Sequence, residues 1–261
     1  MIYLPVFFFG AIIGSFLNVC IYRVPKDESI VRPASRCMSC GSPIRSYDNI
    51  PILSYIILQG KCRNCKEKLS FRYPLVEFLN AALYVLVLRT FGADSPLILA
   101  VYFLFVSVLI VIFFIDMDHQ IIPNSITLPG IPIAIILGST ILPDPFSGHE
   151  VLGLKGSLAG FAAGGGLFYL VAILGKAVFK KDAMGGGDIK MMAMVGGVLG
   201  WKGVILTTFM GSLLGSVIGV SLIMLKGREW GSRIPFGPYL AAGALISLFW
   251  GRDIFRWYFH A

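Results

Sequence analysis

The stretch LILAVYFLFVSVLIVIFFI, residues 97–115, carries no charged side chain and runs straight into IDMDHQIIPN, residues 115–124. A helix of that length rises about 28 Å at 1.5 Å per residue, close to the roughly 30 Å of a hydrocarbon layer. The reading that decides the fold is therefore a membrane-crossing helix with acids at one end. The rest of the chain agrees: 56% of its 261 residues are hydrophobic and 14% are charged, where soluble domains carry about 25% charged residues. Mean hydropathy is +0.80. A soluble globular class is excluded, and the expectation is an all-α polytopic membrane protein.

Apolar runs set between breakers give about eight spans, at roughly 2–22, 74–90, 96–115, 121–142, 156–179, 188–200, 203–226 and 234–250. The sixth is short for a crossing, so a re-entrant or tilted segment is its alternative. The opening MIYLPVFFFGAIIGSFLNVC has no basic leader and no small-residue cleavage site after it, which reads as a retained first span. Three regions follow: a first transmembrane helix at 1–22, a cytoplasmic loop domain at 23–73, and a helical membrane domain at 74–261. Small residues at four-residue spacing (Gly10/Gly14, Gly156/Gly160/Gly164, Gly211/Gly215/Gly219) are expected to pack helix against helix.

Lysine and arginine set the orientation. With loop 23–73 inside, ten basic residues lie there, four in 176–190 and three in 226–233, against five outside. That bias places the loop in the cytoplasm and the N-terminus in the periplasm. The net charge of +8 then reflects topology and attraction to anionic phospholipid. Nucleic-acid binding is not expected, because no basic stretch carries stacked aromatics or a known module.

Within the loop, Cys37-x-x-Cys40 and Cys62-x-x-Cys65 have the spacing of a four-cysteine zinc ribbon. A reducing cytoplasm disfavours the alternative of two disulfides. Four thiolates leave no open coordination position, so a zinc ion here would be structural. Cys20, in the first span, has no partner in sequence and reads as inert. IPILSYIIL, also in the loop, is about half a bilayer long; it is expected to be a core for the module or an interfacial patch rather than a span.

Asp116 closes the third span and Asp188 opens the sixth, both on the cytoplasmic face although 72 positions separate them. Acids at such depth are expensive and mark function by default. Two carboxylates brought together share a proton, one acting as base on a water and the other as acid to a carbonyl. Gly185, Gly186 and Gly187 would let a substrate backbone lie close. The alternatives are that Asp188 merely caps a helix and that Asp116 pairs with a lysine. Asp118 and His119 read as headgroup-level side chains. No G-x-S-x-G or H-E-x-x-H occurs.

Six blocks in order carry a resemblance: GSFLNVCIYRVP (14–25), the paired cysteines with NIPILSY between them, RYPLVE (72–77), IDMDHQIIPN (115–124), MGGGDIKMMAMVG (184–196) and IPFGPYLAAG (234–243). Together they cover nearly the whole chain, which resembles the bacterial type IV prepilin peptidases, bifunctional leader peptidase/N-methyltransferases. The resemblance implies an inner-membrane aspartyl endopeptidase with Asp116 and Asp188 catalytic and Gly185 and Gly187 fixed beside them. Its substrates would be prepilins or pseudopilins, cut after a glycine that ends a short basic leader. It also implies N-methylation of the new terminus from S-adenosylmethionine, for which the sequence shows no fingerprint. Asn124 stands where many relatives have an acid, so it is assigned no proton chemistry. Asn18, Arg23, Arg72 and Glu77 are candidate lining residues, with structural ion pairs as the alternative. A peptidase without methyl transfer and a non-enzymatic scaffold docking a partner through its zinc module are the competing functions.

Overall fold

A computed structural model describes residues 2–147, 150–180, 184–226 and 235–260. Of the basic residues used for orientation, Lys181, Arg228 and Arg233 lie outside these ranges. Eight α-helices are present among the described residues: α1 Tyr3–Arg23, α2 Leu53–Ile57, α3 Arg72–Phe91, α4 Pro96–His119, α5 Asn124–Thr140, α6 Gly153–Phe179, α7 Gly186–Lys226 and α8 Gly237–His260. Among the same residues, extended pairing is limited to isolated bridges. Five of the helices are long and apolar enough to cross a membrane, and α5 is a shorter apolar one. The protein is an all-helical membrane protein. Its contacts form two compact units, Met1–Val111 and Ile112–Ala261, with the division inside α4.

In the first unit, α1 and α3 form an antiparallel pair. A Cβ added at Gly10 would meet the Ala81 Cα at 2.7 Å, and one at Gly14 the Glu77 Cα at 2.7 Å. Their absence lets the backbones approach, as the glycine spacing predicts. The close approach is fixed by polar groups. Asn80 donates to the Gly10 carbonyl at 2.7 Å and accepts from Ser107 at 3.0 Å, and Tyr84 shares a 3.0 Å hydrogen bond with Ser107. All three are buried, so each must find its partner inside the protein. The opposite face of α1 exposes Phe8, Phe9, Ile12 and Phe16, which suits lipid.

In the second unit, α7 is two helical arms. Gly200 has φ 69° and ψ 179°, left-handed backbone that a residue with a Cβ resists. There the chain reverses, and a Cβ on Gly196 would lie 2.9 Å from the Val204 side chain. The expected division into 188–200 and 203–226 coincides with this reversal. The first arm lies between α5 and α6. Side chains at Gly138, Gly160 and Gly164 would overlap the carbonyl oxygens of Gly197, Gly196 and Met192. Ser157, buried, donates to the Gly197 carbonyl at 2.8 Å. The second arm runs antiparallel to α8, whose Gly243 abuts Thr207 and whose Ser247 donates to the Gly203 carbonyl at 3.3 Å.

Two boundaries differ from expectation. α4 continues through Asp116 to His119, because only at Gln120 (φ 54°) does the backbone turn left-handed, its N–H returning to the Asp116 carbonyl at 2.9 Å. α8 extends ten residues past 250. No proline interrupts RDIFRWYFH, and the Phe146–Phe255 ring pair at 5.1 Å holds the extension to the loop after α5.

Candidate active site and metal centre

Asp116 sits in the last turn of α4, buried at 6% exposure. Its carboxylate accepts the backbone N–H of Gly237, the first residue of α8. Asp188 is the third residue of α7. Its carboxylate accepts the Gly185 N–H while its own N–H returns to the Gly185 carbonyl at 3.2 Å. This reciprocal pattern is a capping box in which the acid occupies the third position and Gly185 the cap. The capping alternative is thus real, yet it engages only one face of the acid.

What joins the two acids is Ile122. A Cβ on Gly187 would lie 2.8 Å from the Ile122 Cβ; one on Gly237 would lie 2.6 Å from the Asp116 Oδ2 and 3.1 Å from the Ile122 Cδ1. The isoleucine is wedged between two glycines, one beside each acid. Asp116 and Asp188 are close enough for their charges to act on each other. Among the described residues neither forms an ion pair. Two carboxylates held together without a cation are arranged for one proton between them.

Asp118 and His119 are exposed, as expected for headgroup-level groups. Asn124 accepts a 2.7 Å hydrogen bond from Lys190, two residues past Asp188, tying the start of α5 to the start of α7. Ile122, Gly237 and Lys190 were not singled out in the sequence. The proline-flanked PFGP (235–238) was the available signal for Gly237, since a glycine between two prolines marks backbone that something approaches.

The four cysteines converge in the first unit. The Sγ atoms of Cys37, Cys40, Cys62 and Cys65 all lie within 4.8 Å of one another, and Cys37 and Cys65 are 3.8 Å apart. Zinc–sulfur bonds of about 2.3 Å in a tetrahedron require sulfur separations of about 3.8 Å, so the donor set fits a zinc ion. The two halves repeat with an offset of 25 residues. Cys37 N–H bonds the Ser42 carbonyl at 2.9 Å and Cys62 N–H that of Glu67 at 2.8 Å; Gly41 and Lys66, each after the second cysteine, take φ of 69° and 61°. Hydrogen bonds from the Ser42 hydroxyl and backbone bring the Cys40 thiol down to about 6. Against a lowering backbone bond from Glu67, desolvation and donation to the other three sulfurs push Cys65 up to about 12. That crowding is what a divalent cation relieves. Arg63 grips Asp48 in a bidentate pair at 2.7–3.0 Å, which holds the Asp48 carboxyl below the usual carboxylate range.

A cavity of about 900 Å³ opens in the same unit, lined in part by Asn18, Arg23, Arg36, Glu77 and the first knuckle. Three of the four candidate lining residues lie on its wall, where each bonds backbone. Asn18 donates to the Gly14 and Tyr73 carbonyls, Arg23 to those of Ser29 and Pro33 at 2.9 and 2.8 Å, and Glu77 accepts the Ile52 N–H at 2.7 Å and the Ser15 hydroxyl. Arg23 and Glu77 clamp loop backbone, whose donors and acceptors no helix pairs, while Asn18 ties α1 to the start of α3.

Two family profiles match in the order of these sites: the bacterial peptidase A24 N-terminal domain over residues 8–91 and the type IV leader peptidase family over residues 103–220. The chain is 36% identical over 280 residues to the prepilin leader peptidase/N-methyltransferase of Aeromonas salmonicida (strain A449), covering 97% of this chain and 92% of that one. It belongs to the type IV leader peptidase family. A Myxococcus xanthus (strain DK1622) protein of the same name is 40% identical over 222 residues, covering 85% of this chain and 63% of the relative. A Pseudomonas aeruginosa one is 36% identical over 276 residues, covering 95% and 90%. No solved structure matches the chain. The protein is an enzyme, a peptidase of this membrane family.

Proposed function

We propose that the protein is an aspartyl prepilin peptidase of the bacterial inner membrane, with Asp116 and Asp188 as its catalytic residues. The observation that carries this reading is the Gly187–Ile122–Gly237 wedge, which holds two unpaired acids together from helices far apart in sequence. One carboxylate accepts a proton from a water, which attacks the scissile carbonyl, while the other, protonated, donates its proton to the carbonyl oxygen; the first then passes the water's proton to the leaving amine as the C–N bond breaks, and the second takes a proton back as the new carboxyl group forms. The glycine N–H donors from Gly185 and Gly237 orient the two carboxylates for this exchange. Gly185 is exposed and Gly187 half-buried, so a substrate backbone can approach beside Asp188. The peptide bond cut is the one after the glycine that ends a basic prepilin or pseudopilin leader, at the cytoplasmic surface. Asp116→Asn and Asp188→Asn, each assayed on a prepilin in membranes, test the assignment: normal cleavage by either variant removes the two-acid mechanism.

We assign N-methylation of the new terminus, the second activity in the relatives' name, to the first unit. S-adenosylmethionine would supply an electrophilic methyl group, and the 900 Å³ cavity is of the size that holds such ligands. Arg36, which lines the cavity, would face its carboxylate. Zinc at Cys37, Cys40, Cys62 and Cys65 would keep the cavity wall folded. Transfer of a labelled methyl group to cleaved pilin, and about one zinc per chain by elemental analysis, test the two assignments. A metal-free, fully folded preparation refutes the zinc ribbon.

A further inference from the structure

The peptide between the two cysteine pairs has a face that neither activity uses. In α2 the one buried residue is Ser54, while Leu53, Ile56 and Ile57 are 47%, 63% and 71% exposed, and nearby Phe71 is 67% exposed. A module surrounded by water would turn such side chains inward. Three features of the first unit indicate what covers them.

The first is depth. The N–H of Ile52, the residue before α2, is held at 2.7 Å by the carboxylate of Glu77. Glu77 lies five residues into α3, about 7.5 Å along the helix from its start, and α3 is one of the helices apolar enough to span. The start of α2 is thus held beside the spanning helix instead of standing off its end. The second is continuity. The Tyr55 ring meets Phe71 edge-on at 6.3 Å, and α3 goes on to expose Tyr73 and Phe78 on its own surface. The third is charge. Residues 23–73 hold ten basic and four acidic side chains, a net +6, and Lys61, Lys66 and Lys68 beside α2 are exposed.

We propose that α2 and Phe71 form an interfacial anchor. Leu53, Ile56 and Ile57 insert at the boundary between headgroups and acyl chains, and the neighbouring lysines face anionic phospholipid headgroups. The zinc module is then part of the membrane surface. Its cavity is held at the level where a transmembrane substrate emerges.

The test uses the full chain in vesicles of phosphatidylcholine with and without phosphatidylglycerol, carrying the photo-crosslinker p-benzoylphenylalanine in place of Ile57. Ile56 takes the crosslinker in a second variant, should the first fail to fold. Phe9, on the exposed face of α1, serves as the lipid-facing reference, and prepilin cleavage shows that each variant is folded. The expected result is a phospholipid-mass adduct on the α2 peptide, with a several-fold lower yield when phosphatidylglycerol is left out and no such drop at Phe9. An unmodified α2 peptide alongside a lipid-labelled Phe9 variant overturns the anchor. So does crosslinking of α2 to an added prepilin or another polypeptide in place of lipid. Equal yields in the two vesicle types overturn the role given to the lysines.

Discussion

Each unit buries or half-buries acids, and they are treated differently. Glu77 is answered twice, by the Ile52 N–H and the Ser15 hydroxyl, and it joins a loop to a helix. Among the described residues, Asp116 and Asp188 each accept a glycine N–H, their charges act on one another, and neither is paired with a cation. A carboxylate that accepts from two separate segments ties them together. A pair left without a cation keeps oxygens free for water and substrate. On the proposed reading, the difference separates a structural acid from acids placed for chemistry, although all three lie on apolar helices.

The comparison can be broken most sharply by exchanging the acids for amides. Asp116→Asn or Asp188→Asn is expected to lower prepilin cleavage by about 10²–10⁴-fold, the usual worth of acid–base catalysis, with the thermal unfolding midpoint held or raised. Glu77→Gln, which keeps an acceptor for Ile52, should leave cleavage within a few-fold of wild type. Equal losses from all three amides would erase the distinction. Next in size is Gly237→Ala, whose methyl would lie 2.6 Å from the Asp116 Oδ2. Displacing that carboxylate should cost about 10²-fold in cleavage, with metal content, read by elemental analysis, unchanged. Glu77→Ala strands the Ile52 N–H and is expected to destabilise the first unit by about 1–3 kcal/mol. It should be visible as faster hydrogen exchange over residues 46–60, while cleavage by folded molecules persists. The smallest effect belongs to Lys190→Met. Loss of its exposed hydrogen bond to Asn124 should cost no more than about 1 kcal/mol, seen as a shift of a degree or so in unfolding.

Much of this was legible in the sequence because the signals are local. Two C-x-x-C pairs specify converging thiolates by spacing alone, and a charge-free 97–115 specifies a span. The break between the sixth and seventh spans was legible too, since Gly200 and Gly203 interrupt an apolar run. What was hidden depends on contacts between distant segments. Nothing in PFGP says that Gly237 donates to Asp116, nor does IIPN say that Ile122 separates two glycines. Glu77 illustrates the same limit: the sequence offered a cavity-lining role or an ion pair, and its partners include a backbone N–H made available by the left-handed Ile52 (φ 61°). The extent of α8 was hidden because Phe146, which steadies its end, comes from a loop more than a hundred positions earlier.

The reversal at Gly200 also bears on the lipid around the enzyme. The first arm, Gly186 to Leu199, is 14 residues and rises about 21 Å; α5 beside it has 17 residues and rises about 26 Å. Both fall short of a hydrocarbon layer of roughly 30 Å. The first arm is buried within the bundle, but α5 exposes Leu128, Ile133 and Ile136, and acyl chains beside it must compress or tilt to cover it, leaving a dimple in the bilayer there. Membranes built from shorter lipids would meet this patch of protein with less distortion, so bilayer thickness becomes a variable to which the enzyme's stability is tuned.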